Sequence, residues 1–140
     1  EGVVEGGEEA VVLGGRADGD AQAVFEAGPA AAITHEDAAF NASRAALMSV
    51  ALGSRPEFLM AATEDRLHQA YRAPALVATT EWVTRLRGRG LAATVSGAGP
   101  TVLVLSTSAL PADLRDSAES QGWRVLDLTI ADGARVVSEA

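Results

Sequence analysis

Six residues, Ser96-Gly97-Ala98-Gly99-Pro100-Thr101, separate two apolar runs, Leu91 to Val95 and Val102 to Leu105. A turn between strands needs only one or two residues with special backbone angles. Two glycines and a proline framed by two hydroxyl residues exceed what a tight hairpin requires. Glycine lets a backbone approach a ligand closely. Successive N–H groups turned toward one point form an anion-binding concavity, to which flanking hydroxyls add donors. The same residues also suit an ordinary hairpin loop with surplus glycine, and spacing alone leaves both readings open. Two phosphate motifs are excluded. The P-loop pattern G-x-x-x-x-G-K-[ST] needs a lysine, and all eleven basic residues of this chain are arginine. The dinucleotide pattern G-x-G-x-x-G fails at its third glycine, where Val102 stands.

A second polar cluster, Thr63-Glu64-Asp65-Arg66-Leu67-His68-Gln69-Ala70-Tyr71-Arg72, reads as the end of a helix. Helical spacing puts Asp65 and Gln69 on one face, and Arg72, beyond the helix, is free to reach into a cleft. The planar fork of arginine suits a carboxylate or phosphate through two parallel hydrogen bonds. A solvated helix end, with basic residues complementing the dipole, accounts for the same composition. The third cluster is His35-Glu36-Asp37-Ala38-Ala39-Phe40-Asn41. His35 and Asp37 are two apart on a helix and diverge, which argues against a metal site. Capping accounts for Thr34, Glu36 and Asp37 without any function. Asn41, mid-helix beside Phe40, weakens the helix and wants a partner. With no cysteine and no G-x-S-x-G elbow, neither a thiolate nor a serine nucleophile is indicated.

The elements that must carry these clusters follow from periodicity and punctuation. Thr34 caps a helix predicted over His35 to Leu52, with Phe40, Leu47 and Val50 at helical spacing and Gly53 as the stop. Pro56 opens a second helix running to about His68, and Gln69 to Ala78 reads as a loop containing Pro74. Thr79 or Thr80 caps a third helix through Trp82, Val83 and Leu86, ending before Gly88 and Gly90. Strands follow at Ala92–Val95 and Thr101–Ser106. Pro111 opens a fourth helix with Leu110, Leu114 and Ala118 spaced by four, closed by Gly122. Trp123 to Ile130 alternates, with Leu126, Leu128 and Ile130 on one face and Val125, Asp127 and Thr129 on the other. Asp132-Gly133 signals a turn before a short strand over Arg135 to Val137. Nearer the start, Ala10 to Leu13 suits an edge strand and Ala21 to Ala27 a short helix, while Glu1 to Glu9 suits a flexible leader. The sum is an α+β domain, with helices packed on one face of a largely antiparallel sheet.

Bulk properties bound the function. A length of 140 residues suggests one domain, and an apolar fraction of 48% supplies a real core. Residues 1–28 hold seven of the fourteen glycines and carry a net charge of −6, against −2 for residues 29–140. No basic face exists to attract nucleic acid, whereas a nearly neutral body with local arginines suits a small anionic ligand. No apolar run approaches a membrane span, and the absence of cysteine fits a cytoplasmic protein without a membrane partner.

Three strings in this order resemble the homoserine kinase family of the GHMP small-molecule kinases, over its C-terminal half. They are His35-Glu36-Asp37-Ala38-Ala39-Phe40-Asn41, then Ala62-Thr63-Glu64-Asp65-Arg66-Leu67-His68-Gln69 running into Tyr71-Arg72-Ala73-Pro74, then Val95-Ser96-Gly97-Ala98-Gly99-Pro100-Thr101-Val102. The middle string is specific to homoserine kinase, and the last resembles the third motif of the superfamily. The resemblance implies a ferredoxin-like C-terminal domain over residues 29–140, preceded by a weakly structured or diverged leader over 1–28. It implies transfer of the γ-phosphate of ATP to the side-chain hydroxyl of L-homoserine, with Mg²⁺, on the way to threonine. It places Ser96, Gly97, Ala98, Gly99, Pro100 and Thr101 near the phosphates and Arg72 against the amino-acid substrate. Asn41, Arg66 and His68 would shape or line the cleft rather than react.

Departures from the family are as informative. Nothing in the chain matches the family's glycine- and serine-rich ATP loop. Residues 18–28 contain no arginine where a second substrate arginine is expected, and Ala70 replaces the usual proline. Two readings follow: a kinase fragment carrying the substrate side of the cleft but inert alone, or a non-catalytic binding or dimerisation module of the same fold, which admits a homodimer.

Overall fold

The computed structural model describes residues 9–14 and 32–129. Four strands, β1 (Glu9–Gly14), β2 (Ala92–Val95), β3 (Val102–Ser106) and β4 (Arg124–Thr129), form one antiparallel sheet in the order β2-β3-β1-β4. The helices are α1 (His35–Gly53), a 3₁₀ turn (Pro56–Phe58) leading into α2 (Leu59–Ala62), α3 (Gln69–Arg72), α4 (Val77–Gly88) and α5 (Ala112–Ser120). The α+β class and antiparallel sheet expected from sequence are observed, but helices pack on both faces of the sheet rather than on one, because β2 and β3 carry apolar side chains on both sides. Among the described residues no helix is long and apolar enough to cross a membrane.

Strand β1 is central, not an edge: Val11 pairs with Val104 on one side and Asp127 on the other. Its unbroken run Ala10-Val11-Val12-Leu13 puts apolar side chains on both faces of the sheet, Val11 and Leu13 on one and Ala10 and Val12 on the other. The boundary drawn after residue 28 therefore does not separate this strand from the domain. The readings for Glu1 to Glu8, Ala21 to Ala27, Ile130, Asp132-Gly133 and Arg135 to Val137 lie outside the described residues.

Period-two alternation divides the sheet. Val11, Leu13, Ala93, Val102 and Val104 face Trp82 and Leu86 of α4, Leu110, Leu114 and Ala118 of the α5 region, and Trp123. The two tryptophans meet edge to face, with centroids 6.2 Å apart. On the opposite face, Ala92 and Leu105 pack with Ala51, Leu59 and Ala62, so α1 and α2 cover the β2–β3 end. Leu126 and Leu128, in register with Val12 and Ala10, are exposed on this second face.

Thr34 caps α1 as expected, its Oγ1 accepting from the Asp37 amide at 3.0 Å. The apolar stripe is rotated by one position, however. Val50 is 47% exposed and Ala51 is fully buried, because the close approach of α1 to α2 admits only a methyl group there. The second helix stops at Ala62, six residues earlier than predicted. The Thr63 hydroxyl bonds back to the Leu59 carbonyl at 2.9 Å, and the Asp65 side chain offers the following N–H groups an alternative to helical pairing. The segment read as a loop accordingly contains α3. Helix α4 begins at Val77 without a side-chain cap, since the Thr79 hydroxyl donates to the Pro100 carbonyl at 2.8 Å.

Leu114 is fully buried on the sheet face that holds both tryptophans. Leu114→Ala is expected to lower unfolding free energy by about 2–5 kcal/mol. Chemical denaturation followed by tryptophan fluorescence checks this, and a loss below about 1 kcal/mol would show that the cluster is not close-packed.

Candidate functional site

The polar cluster of residues 63–72 and the glycine loop come together at one end of the sheet. A cleft of about 380 Å³ lies between them, lined by Asp65, His68, Gln69, Arg72, Thr94, Val95, Gly97 and Ala98. Arg72, the last residue of α3, places its guanidinium at the mouth of this cleft. Its Nη1 makes a long contact of 3.5 Å to the Gly97 carbonyl, and its buried Nε has no partner among the described residues. The guanidinium thus keeps donors free for an incoming acceptor.

The glycine loop is held in shape from within and from behind. The Ser96 amide donates to the Thr101 carbonyl at 2.8 Å, and the Gly99 amide to the Ser96 carbonyl at 3.0 Å. The amides of Gly97 and Ala98 donate to no described residue, so two adjacent N–H groups are left at the cleft. Gly97 and Gly99 adopt φ of +59° and +86°, and the peptide bond between Gly99 and Pro100 is cis. A Cβ on Gly99 would sit 2.7 Å from Leu76 Cδ1, whereas one on Gly97 would meet open space. The tether from Thr79 to Pro100 fixes the loop against the first turn of α4.

Asp65 organises the opposite wall. Its Oδ1 accepts from Asn41 Nδ2 at 2.5 Å and from the Leu67 amide at 3.1 Å. Its Oδ2 accepts from the amides of His68 at 2.8 Å and Gln69 at 2.6 Å. Burial pushes this carboxyl up. The Gln69 amide, the Asn41 side chain and the His68 and Leu67 amides outweigh that effect and hold it below the usual carboxylate range. Gln69 in turn accepts from the Val95 amide at 3.1 Å, joining α3 to β2 beside the loop.

The other sequence-selected residues divide between the cleft and its supports. His68 lines the cleft, with Nδ1 3.6 Å from Asp65 Oδ1. Asn41 stands behind it, bridging Asp65 and the Arg66 amide at 2.9 Å. Arg66 points away: its guanidinium lies 3.8 Å from the centre of the Phe40 ring and within 4 Å of Glu36 and Asp37. Ser96, Gly99, Pro100 and Thr101 shape the loop without lining the cleft.

Sequence reasoning missed two supports, Thr79 as a tether and Arg87 as a clamp. Arg87 donates to the Met60 carbonyl and Thr63 hydroxyl at 2.8 Å and to the Ala93 carbonyl at 3.1 Å. Its neighbours Arg85 and Arg89 look identical in sequence but bond Ser117 and Asp113 instead. Only the phase of α4 distinguishes them.

Comparison with known proteins agrees with the family resemblance. Over 104 residues the chain is 64% identical to the homoserine kinase of Rhodococcus erythropolis strain PR4, covering 74% of this chain and 33% of that protein. Over that stretch the chain is a homologue of homoserine kinase. Homoserine kinases of Corynebacterium glutamicum strain R (53% identical over 104 residues) and Mycolicibacterium paratuberculosis (50% over 106) match a similar share of the chain. The chain spans about a third of the length of these curated relatives. A crystal structure of homoserine kinase from Cytophaga hutchinsonii superposes with a TM-score of 0.69 at 16% identity, covering 89% of this chain and 42% of that one, which shows a shared fold. No family model matches the chain.

Two predictions test the cleft walls. Gly97→Ala is expected to cost about 1–2 kcal/mol for its left-handed backbone. Gly99→Ala should cost roughly 1–3 kcal/mol more, from overpacking against Leu76. Equal losses on chemical denaturation would remove the Leu76 contact from the account. The second concerns acid. Because the folded-state pKa of Asp65 is lowered, its stabilisation is present above the ordinary aspartate value of about 3.9 and is lost as pH falls through the folded value. Asp65→Asn should therefore flatten the acid limb of stability below the ordinary aspartate value, measured as Tm against pH. An acid limb as steep as that of the parent chain would contradict the assignment.

Proposed function

We propose that the chain is the C-terminal domain of an ATP-dependent homoserine kinase and supplies the amino-acid side of its cleft. The observation that carries this reading is the meeting of Arg72 with Gly97 and Ala98 around one cleft, each keeping unused N–H donors. A carboxylate fits the guanidinium fork through two parallel charge-assisted hydrogen bonds. Adjacent backbone amides suit a second anionic group. In this reading the carboxylate of L-homoserine pairs with Arg72, and its side-chain hydroxyl extends toward the loop to receive the γ-phosphoryl group of ATP. The step belongs to threonine biosynthesis in the cytoplasm. His68 and Gln69 shape the wall between them, while Asn41 and Arg66 support it from behind.

Among the described residues no group of three or more His, Asp or Glu could hold a metal ion without help from a bound phosphate. Nor does the sequence contain the glycine- and serine-rich loop that would cradle the ATP phosphates. Both ligands are assigned to parts of a full-length kinase that correspond to the unmatched two thirds of its relatives.

Phosphoryl transfer depends mainly on positioning and charge stabilisation, so the substrate side alone should not turn over. Residues 1–140 are expected to show no ATP-dependent phosphorylation of L-homoserine; turnover at about 1–100 s⁻¹, usual for kinases, would overturn the assignment. Replacing the matching third of the Rhodococcus erythropolis enzyme with this chain should preserve activity. In that chimera Arg72→Ala should raise KM for L-homoserine, with a loss of roughly 2–5 kcal/mol in kcat/KM. A KM equal to that of the parent chimera would exclude Arg72 from the substrate site.

A further inference from the structure

Asp65 lines the cleft beside His68 and Arg72, where a carboxylate invites assignment as the base that takes the substrate proton. Its hydrogen bonding excludes that role. An ionised carboxylate has about four acceptor sites, and all four are occupied, by Asn41 Nδ2 and the amides of Leu67, His68 and Gln69. A general base needs a free lone pair aimed at the proton and a pKa near the working pH, whereas Asp65 is held below the carboxylate range.

The same four bonds define another role. Three of them fix consecutive amides at the start of α3, a single turn of four residues that ends at Arg72. So short a helix has no stability of its own, and its direction must be imposed from outside. The fourth bond runs to Asn41 in the middle of α1, and Asn41 closes the ring by accepting from the Arg66 amide. Beyond this ring, the Gln69 side chain accepts from the Val95 amide, the Arg72 carbonyl accepts from the Ala75 and Leu76 amides, and the Arg72 guanidinium makes its long contact to the Gly97 carbonyl; the Asp65 carboxylate is the group that gathers consecutive backbone amides where the turn begins. We propose that Asp65 is a positioning residue which, anchored by Asn41, sets the direction of α3 and thereby aims the Arg72 guanidinium into the cleft. This rests on the reading of Arg72 as the arginine that binds substrate.

The test uses the 140-residue chain labelled with ¹⁵N, in which the side-chain Nε–Hε resonance of Arg72 reports its surroundings directly. In Asp65→Ala, exchange protection of the Leu67, His68 and Gln69 amides should fall roughly tenfold. The Arg72 resonance should move toward that of a solvated arginine, and the Kd for L-homoserine should rise by about fivefold or more. Asn41→Ala should move the Arg72 resonance in the same direction by a smaller amount, and it decides the matter if Asp65→Ala does not fold. Thr34→Ala, which removes a cap at the start of α1, controls for general destabilisation and should leave Arg72 unmoved. Loss of amide protection with an unmoved Arg72 resonance would reduce Asp65 to a helix cap and overturn the proposal, as would an equal shift in Thr34→Ala. If the parent chain does not bind L-homoserine, the substrate reading fails, and the Arg72 resonance still decides the role of Asp65.

Discussion

An aspartate held largely out of water must have its charge met by donors, and at Asp65 four N–H groups do so. The constraint shapes everything near the cleft. The amides of Leu67, His68 and Gln69 that bond to this carboxylate are taken out of helical pairing, so the helix does not run on through residues 63–68. The helix that begins at Leu59 ends at Ala62, the backbone turns to bring three amides onto one carboxylate, and a new turn starts at Gln69. Asn41 extends the same constraint across 24 residues of sequence to α1. A polar cluster that looks like a frayed helix end in sequence is thereby a junction between two helices.

The facing wall obeys a different rule, steric rather than electrostatic. Two glycines at positive φ let the loop fold over the edge of β2 and β3, and Leu76 fills the space a side chain on Gly99 would need. Thr79, buried at 2% exposure, satisfies its hydroxyl on the Pro100 carbonyl. Helix α4 serves both walls. Its first turn grips the glycine loop, and Arg87 in its last turn binds the Met60 carbonyl and the Thr63 hydroxyl where α2 ends. One rigid helix of 12 residues therefore fixes the loop relative to the segment that carries Asp65.

Much of this was legible in the sequence, and what was hidden shares a cause. Thr34, Gly122, Pro111 and the apolar run with β-branched valines over Val102 to Ser106 act locally, through capping, backbone angle or strand preference, and a single sequence displays such signals. Thr79 and Asp65 carry side chains that satisfy either a local cap or a distant partner with the same atoms. Thr79 read as a cap because threonine before an apolar helix usually is one; its partner lies 21 residues away. Asp65 read as a helix-face residue because nothing local shows that its acceptors are claimed by the next turn. Ala51 displaced Val50 at the α1–α2 contact for a related reason: how close two helices approach is a tertiary fact, and alanine-rich helices leave several phases open. The residues selected through motif order include Arg72, His68, Gly97 and Ala98, which line one cleft. Their physical roles emerged only when the cleft assembled them.

The strength of Arg72 as an anchor depends on what closes over it. An exposed ion pair contributes about 0–1 kcal/mol, whereas truncating one partner of a desolvated, hydrogen-bonded pair costs roughly 2–5 kcal/mol. His68 on the rim is half exposed, and the loop residues Gly97 and Ala98 are open to solvent. Arg72, by contrast, keeps its Nε shielded from solvent. The described residues thus supply direction and shape, while the low-dielectric surroundings that would make their donors strong must come from whatever covers the cleft. A partition of this kind suits the function proposed above, in which this chain orients the acceptor and a separate phosphate-binding part would exclude water.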